Sequence, residues 1–414
     1  MVRGYRLYLS FAATALLFQP IVAGAQARRV WTRSWQAVPM EMPAPVARPG
    51  QSGPPPQPAP PPSADATYRM TARLSAGGTI LRLRLSNEMW TAPLPVGAVH
   101  VALAGPDGEI VAGTDRAVTF GGDASPVIPA GAPLISDPVA LKVAPLARIV
   151  VSIHVPGDTP HLSVHQLGVA TTRIVPGNQA SAPVLAAGGA TSTMRYLLTA
   201  IDVAGGPATG TIVTIGDSIT DGAASSKDAD RRWPDILAER LNKAGKNGFA
   251  VANAGISGNR LLKTGAGPAA LARFDRDILS VPGVRYVVIL EGINDIGSAK
   301  GAGSAPPTVA DITGAYRQMI DRAHDRGIKV IGATVLPYKG AGYYAADGDA
   351  VRVAVNTWIR APGHFDGVID FDRAVADKAD PLRMAKAYDS GDALHPGDAG
   401  YRAMGEAIDL NLFR

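Results

Sequence analysis

The pattern of hydrophobic and polar positions divides the chain into two parts. In residues 66–204, apolar and polar residues alternate in short runs such as Leu81-Arg82-Leu83-Arg84-Leu85, and Gly, Pro and Asp clusters separate the runs. Alternation with a period of two is typical of a β-strand that buries one face. Similar runs occur at 97–104, 138–144, 147–155, 161–167 and 195–203. These residues are predicted to form an all-β sandwich of jelly-roll character.

From about residue 208 the pattern alternates between buried strands and amphipathic helices. Strands are predicted at 211–215, 249–253, 285–290, 329–334 and 368–371, and helices at about 234–243, 269–279, 308–325, 349–360 and 397–413. Strands separated by helices predict an α/β domain, assigned to residues 205–414, with a parallel sheet covered on both faces. Functional sites in such folds form beyond the carboxyl ends of the strands.

The N-terminal 65 residues follow neither pattern. Residues 1–27 combine Arg3 and Arg6, a mostly apolar run and Ala25-Gln26-Ala27, which is typical of a secretory signal peptide cleaved after Ala27. The apolar run is too short for a membrane span, which needs about 20 residues. Residues 28–65 are rich in proline and are predicted to be a loop or linker. The mature protein is expected to be soluble in the periplasm or outside the cell.

The amino-acid composition excludes several kinds of site and partner. The chain has 414 residues, 46% of them hydrophobic, and no cysteine. The absence of cysteine excludes disulfides, thiolate metal sites and a cysteine nucleophile. The net charge of +5 falls to +3 without Arg3 and Arg6, which is too small to indicate nucleic-acid binding. An exported protein is also not expected to use a diffusible cofactor, and the predicted cofactor set is none.

Two further polar features of the β part have simple interpretations. The arginines that alternate with Leu81–Leu85 could bind an acidic sugar, but a solvated sheet face is the preferred interpretation. His161 and His165 suggest a metal site. On a strand, four residues span about 13 Å, which is too far for one ion.

Two of four candidate motifs follow the first two predicted strands. Gly216-Asp217-Ser218-Ile219-Thr220-Asp221-Gly222 follows the first strand and could present the Ser218 hydroxyl as a nucleophile, or Ser218 could simply cap a helix. Asn253-Ala254-Gly255-Ile256-Ser257-Gly258-Asn259-Arg260 follows the second strand. Its glycines would let backbone N–H groups approach an oxyanion, although ordinary turns also use glycine.

The other two motifs supply an amide and a base. Glu291-Gly292-Ile293-Asn294-Asp295 ends the third strand, where the Asn294 amide could donate to an oxyanion or form an Asx turn. Asp392-Ala393-Leu394-His395-Pro396-Gly397 follows the last strand. A serine needs a base, and Asp392 could orient the His395 ring. His324 and His364 lie in polar surroundings without this combination.

These four motifs, in chain order at successive strand ends, resemble the four blocks of the SGNH hydrolases, also called GDSL esterases and lipases. The resemblance covers roughly residues 208–414 and implies a flavodoxin-like three-layer parallel sheet. It implies that Ser218 is the nucleophile, His395 the base and Asp392 its orienting acid. It further implies an oxyanion hole made by the Ser218 and Gly258 N–H groups and the Asn294 amide. Asp217 and Asp295 match positions that shape the site.

A narrower resemblance concerns the substrate. The β domain in front, together with Arg232-Trp233-Pro234-Asp235, Gly255–Leu262 and Arg273-Phe274-Asp275-Arg276-Asp277, is similar to esterases encoded beside xylan-degrading enzymes. This similarity implies removal of acetyl or other short acyl groups from a carbohydrate. The alternatives are a broad-specificity lipolytic or arylesterase and an inert carbohydrate-binding protein. The sequence leaves open which ester is cut and whether the chain forms oligomers.

Overall fold

The computed structural model describes residues 1, 29–42, 65–157, 161–246, 248–301 and 303–414. Of the predicted signal peptide, only Met1 is among the described residues. Of the proline-rich segment, residues 29–42 and 65 are described. Within the described residues, no helix is long and apolar enough to cross a membrane.

The N-terminal part consists of antiparallel strands. They are β1 (Thr32–Gln36), β2 (Ala66–Arg73), β3 (Gly78–Ser86), β4 (Leu94–Pro95), β5 (Ala98–Leu103), β6 (Arg116–Ala117), β7 (Val127–Ile128), β8 (Pro133–Ile135), β9 (Val139–Val143), β10 (Arg148–Val155), β11 (Val164–His165), β12 (Thr172–Pro176), β13 (Ala190–Ser192), β14 (Arg195–Tyr196) and β15 (Leu198–Ala204). One large sheet has the order β1-β15-β3-β8, with β9 also paired to β3. The other has the order β13-β12-β2-β10-β5-β6, and β11-β14 and β4-β7 form small pairs.

The two large sheets share one hydrophobic core. Tyr68 and Met70 of β2 and Leu83 and Leu85 of β3 are buried in the same cluster. Alternation along each strand places these residues on the inner face, so the predicted all-β part is present as two packed antiparallel sheets. The jelly-roll detail stays a prediction.

The arginine face of β3 is not solvated, contrary to the sequence interpretation. Arg82 pairs with Asp202 at 3.0 Å and Arg84 with Glu88 at 2.9 Å, and about one fifth of each arginine side chain is exposed. Arg33 of β1 also bonds Asp202, at 2.6 Å. Local alternation determined which face the arginines occupy, but not what covers that face.

The C-terminal part contains a five-stranded parallel sheet. Its strands are β16 (Gly210–Gly216), β17 (Phe249–Gly255), β18 (Val284–Leu290), β19 (Lys329–Ala333) and β20 (Gly367–Ile369), in the order β17-β16-β18-β19-β20. The helices are α1 (Ser218–Asp221), α2 (Trp233–Lys243), α3 (Ala270–Phe274), α4 (Ile293–Gly301), α5 (Val309–His324), α6 (Ala346–Arg360), α7 (Phe371–Val375) and α8 (Asp398–Ala407). A π-helical turn (Asp275–Leu279) continues α3. The chain passes from β16 to β17 on one side and then to β18 on the other side of β16, so the strand order reverses at β16. Folds of this kind place their sites at such a switch point.

Three short or partly polar helices were not expected from the sequence. These are α1, α4 and α7. Residues 297–301 continue α4 although two of the five are glycines. Helices of four or five residues, such as α1 and α7, have too few positions to show a period of 3.6, so local pattern does not detect them.

The linker interpretation of residues 28–65 is wrong for Thr32–Gln36. These residues form β1, which is buried along its whole length and pairs with β15. The strand also contacts the C-terminal part, where the Arg33 N–H donates to Thr211 Oγ1 at 3.0 Å and Gln36 Nε2 donates to Asp277 O at 3.0 Å. Because both faces of β1 are covered, its sequence does not alternate between apolar and polar residues, and the pattern of a half-buried strand is absent.

Candidate active site

The turn after β16 places Ser218 at the start of a very short helix. Asp217, not Ser218, caps α1, because its Oδ1 accepts the Ile219 N–H at 2.9 Å. A Cβ at Gly216 would lie 2.1 Å from Thr220 Oγ1 and 2.6 Å from Leu290 O, so only glycine fits there. The Ser218 hydroxyl is therefore free for another contact.

Ser218, His395 and Asp392 form a continuous hydrogen-bonded relay. Ser218 Oγ lies 2.8 Å from His395 Nε2, and His395 Nδ1 lies 2.6 Å from Asp392 Oδ2. Because a carboxylate only accepts, Nδ1 carries a proton toward Asp392 in the neutral ring, and Nε2 is then free to accept the serine proton. The ring is about one fifth exposed. The structure thus joins the two side chains that are 177 positions apart.

The loop around Asp392 holds the carboxylate as an anion. Its other oxygen, Oδ1, accepts the backbone N–H groups of Leu394 at 2.9 Å and His395 at 2.8 Å. Partial burial raises the pKa of Asp392, but the hydrogen bonds from the His395 ring and these backbone groups outweigh it and leave the pKa below its ordinary value. An ionised carboxylate is what fixes the ring orientation and stabilises an imidazolium.

Two backbone N–H groups of the oxyanion hole that the sequence resemblance implies are not engaged. Among the described residues, the N–H groups of Ser218 and Gly258 have no acceptor. Gly258 has φ of +76°, a left-handed conformation in which a larger residue would be strained. Unpaired donors on a polar surface can bind an oxyanion without any competing bond to break.

The Asn294 side chain is tied to the same loop. Its Nδ2 donates to Asn259 O at 2.9 Å, and the Tyr343 hydroxyl contacts its Oδ1 at 3.4 Å. Because an amide carries two N–H groups, one of them remains for a ligand. This geometry differs from an Asx turn, since the partner Asn259 lies 35 positions away in the chain.

Asp295 shapes the loop after Gly258. Its two carboxylate oxygens accept the N–H groups of Leu261 and Leu262 at 2.7 and 2.9 Å. Burial raises the pKa of Asp295, and these bonds oppose the rise. The side chain therefore fixes backbone rather than facing a substrate.

A buried arginine lies among these acidic groups. Arg273 is fully buried and donates to Ala254 O, Gly216 O and Asp277. Its Nη2 is 3.8 Å from Glu291. Burial raises the pKa of Asp217 to about 7, and burial also raises the pKa of Glu291 well above its ordinary range. These side chains support the turn that carries Ser218.

Sequence reasoning missed a histidine–carboxylate pair that, unlike His395–Asp392, is buried. His165 Nε2 lies 2.8 Å from Asp221 Oδ1, and Asp221 Oδ2 accepts the Ser257 N–H at 2.8 Å and its hydroxyl at 2.9 Å. His161 does not join this pair but stacks on Trp90 at 3.9 Å. Asp221 lies three residues after Ser218 in the first motif, which was the one sequence signal that it belongs near the site. The position of His165 in the sequence did not indicate that it contacts Asp221.

The other histidines of the C-terminal part have different partners. His324 Nε2 bonds Asp366 at 2.8 Å, and the His364 ring stacks on Trp358 at 4.1 Å. In the part of the chain that the structure describes, no group of three or more His, Asp or Glu side chains is placed to hold a metal ion.

One cavity of the described residues lies away from the relay. It has a volume of about 290 Å³ and lies on the outer face of the β2-containing sheet, where Arg69, Arg73, Arg148 and Arg173 line it. Ser218, His395 and Asp392 do not line this cavity. The relay is therefore recognised by its hydrogen bonds and not by this cavity.

Comparisons with known proteins agree with the geometry. Residues 214–403 match the model of the GDSL-like Lipase/Acylhydrolase family. No curated protein matches the chain.

Solved structures of similar domains cover about half of the chain. One is a G-D-S-L family lipolytic protein from Desulfitobacterium hafniense, with 22% identity and a TM-score of 0.37, over 48% of this chain and 96% of that one. Another is an acetyl xylan esterase, AlAXEase, with 21% identity and a TM-score of 0.38, over 48% and 96%. A third is the acetylxylan esterase Axe2 from Geobacillus stearothermophilus, with 19% identity and a TM-score of 0.39, over 50% and 95%.

The family match begins within β16 and ends within α8, so it contains Ser218, the Gly258 loop, Asn294, Asp392 and His395. A serine, a histidine and a carboxylate linked by hydrogen bonds are the groups that acyl transfer requires. Residues 214–403 therefore form a GDSL-like lipase/acylhydrolase domain, and the protein is a carboxylic ester hydrolase.

Proposed function

We propose that the protein is an exported serine esterase that removes short acyl groups, chiefly acetyl, from a carbohydrate through an acyl-serine intermediate. The observation that carries the proposal is the Ser218–His395–Asp392 relay, with contacts of 2.8 and 2.6 Å. In this proposal export depends on residues 1–27, cleaved after Ala27.

The reaction follows from the hydrogen bonds of the relay. His395 Nε2 takes the Ser218 proton as Oγ attacks the ester carbonyl, and Asp392 stabilises the imidazolium. The N–H groups of Ser218 and Gly258 and the Asn294 amide hold the oxyanion of the tetrahedral intermediate. The imidazolium then protonates the departing alcohol. Water, activated by His395, attacks the acyl-serine, releases the acid and restores the serine proton.

One aromatic ring supports the preference for short acyl groups. Tyr343 packs so closely on Gly297 that a Cβ there would lie 2.1 Å from the ring, and its hydroxyl reaches Asn294. An aromatic wall therefore lies beside the proposed oxyanion donor and restricts the room for a long acyl chain.

The carbohydrate part of the proposal rests on the sequence resemblance rather than on a saccharide subsite. Trp233 and Arg273, which belong to the motifs shared with esterases of xylan degradation, are fully buried. These residues support the fold and do not contact a substrate directly.

The three-layer arrangement is part of the same proposal. The helices form two groups with contacts inside each group. In one group α8 contacts α2 and α7, and in the other α5 contacts α3 and α6. Helices that cover a parallel sheet as two separate groups favour one group on each face.

The proposal is tested by acetate release from acetylated xylan and by hydrolysis of p-nitrophenyl esters from acetyl to octanoyl. We expect acetate release from the polymer and a steep fall in kcat/KM as the acyl chain lengthens. Ser218→Ala and His395→Ala should abolish both activities while circular dichroism shows an intact fold. Equal rates on octanoyl esters, without acetate release, would favour a broad lipolytic esterase. Normal turnover in Ser218→Ala would refute the serine mechanism.

A further inference from the structure

We propose that His165, from the antiparallel N-terminal part, is a positioning residue for ester hydrolysis. Through Asp221 and Ser257 it holds the peptide group that carries the Gly258 N–H. The inference rests on the proposed function, in which this N–H is one of the oxyanion donors. It assigns the N-terminal part a role in the reaction itself.

The contacts form an unbroken path between the two parts of the molecule. His165 lies on β11, where its Nδ1 is 3.0 Å from Val38 O and its Nε2 is 2.8 Å from Asp221 Oδ1. Asp221 ends α1, and its Oδ2 accepts both the N–H and the hydroxyl of Ser257. His165 is 6% exposed and Asp221 is 2% exposed. Water therefore does not compete strongly for these bonds.

Hydrogen-bond chemistry determines where the protons lie. Val38 O is a carbonyl and only accepts, so Nδ1 of His165 carries a proton toward it. A second hydrogen bond of 2.8 Å links Nε2 to Asp221 Oδ1, and hydrogen bonds that involve a charged group are stronger and more directional than neutral ones.

The path ends at the peptide that contains the Gly258 nitrogen. A peptide unit is planar, so the Gly258 N–H moves rigidly with the Ser257 carbonyl. On the far side of Gly258, Asn259 is fixed from within the C-terminal part, by Asn294 at its carbonyl and Arg273 at its side chain. On the near side, Asp221 is the residue that holds Ser257. Releasing Asp221 would let the donor turn away from the oxyanion.

Two substitutions at one position separate this role from simple packing. An Asn at position 165 reaches about as far as Nδ1 and can keep the bond to Val38, but it does not reach Asp221. A Gln reaches about as far as Nε2 and keeps the bond to Asp221. We expect His165→Asn to lower kcat for p-nitrophenyl acetate by about 10- to 100-fold, less than the full loss of an oxyanion donor. KM should change less than about threefold, and His165→Gln should restore most of the lost kcat.

A matched control removes a similar pair elsewhere in the same part of the chain. His154 Nε2 bonds Asp65 Oδ1 at 2.6 Å, and neither residue contacts the Ser257 loop. His154→Asn should leave kcat unchanged. If His165→Asn does not fold, Ser257→Ala carries the test, because it removes the hydroxyl contact with Asp221 and should lower kcat about 3- to 10-fold.

The outcomes separate this inference from the proposed function. Wild-type kcat in a folded His165→Asn protein, or equal losses in the Asn and Gln variants, would overturn the positioning role. If the fallback is used, wild-type kcat in Ser257→Ala would overturn it too. Ser218→Ala is measured beside them. Loss of turnover in Ser218→Ala together with a flat His165 series leaves the serine mechanism standing and removes only the inference.

Discussion

Replacing Asp392 with Asn tests how the relay chooses the histidine tautomer. Asp392 Oδ1 accepts two backbone N–H groups, from Leu394 and His395, while Oδ2 faces His395 Nδ1. In Asp392→Asn the amide oxygen must stay with the two backbone donors, so the amide NH₂ faces Nδ1. Nδ1 then has to accept, and the ring proton moves to Nε2. A protonated Nε2 in the neutral ring does not take the Ser218 proton.

The size of the loss follows from this tautomer argument and from exposure. In a buried triad, the same change lowers kcat about 10⁴-fold. Here half of the Asp392 side chain is exposed, so solvent screens part of the charge stabilisation of the imidazolium. The tautomer effect does not depend on that charge. We therefore expect kcat for p-nitrophenyl acetate to fall about 10²- to 10³-fold, or about 3 to 4 kcal/mol in the barrier.

The assay compares Asp392→Asn with a control in the same loop. Asp389→Asn makes the same chemical change, and Asp389 Oδ1 accepts the N–H groups of Gly391 and Ala393 without touching His395. The control should keep kcat within about threefold of wild type, and both variants should keep the wild-type Tm within a few degrees. A kcat for Asp392→Asn within tenfold of wild type would show that the backbone donors do not force the amide orientation.

Three further changes test the site and its support. Asn294→Ala should lower kcat about 10²- to 10³-fold with little change in KM, because it deletes one of the proposed oxyanion donors. Steady-state kinetics on p-nitrophenyl acetate measure this loss, and an unchanged kcat would contradict the proposed role. Asp217→Asn keeps the acceptor for the Ile219 N–H but removes a carboxyl whose pKa rises from 3.8 to about 7 on folding. Because ionising the buried carboxyl destabilises the wild type, the variant should gain free energy of unfolding relative to wild type as pH rises. Urea unfolding should show a gain of up to about 4 kcal/mol between pH 4 and above pH 7. A difference independent of pH would refute the shift. Arg273→Met should reduce the free energy of unfolding by about 3 to 5 kcal/mol, because it leaves Glu291 and Asp277 without their buried cation; a loss below 1 kcal/mol in urea would exclude that role.

Local pattern was sufficient for the main elements of the C-terminal part. The five strands of the parallel sheet occur where buried apolar runs predicted them, within two residues at each end. Because parallel strands end at a common edge, motifs that follow β16, β17 and β18 had to lie near each other. The sequence therefore predicts that Ser218, Gly258 and Asn294 lie in one region. The order of strands and motifs along the chain is therefore enough to predict which motifs share one edge of the sheet.

Tertiary structure alone decided which contacts cross between the two parts. Strand β1 is buried on both faces, so its sequence lacks the one-sided pattern of a half-buried strand. His165 meets Asp221 only because β11 packs beside α1, and nothing within a few residues of either side chain records that contact. Patterns along a chain report which face of an element avoids water. They do not report which distant element covers that face, because that choice depends on how whole sheets and helices fit together.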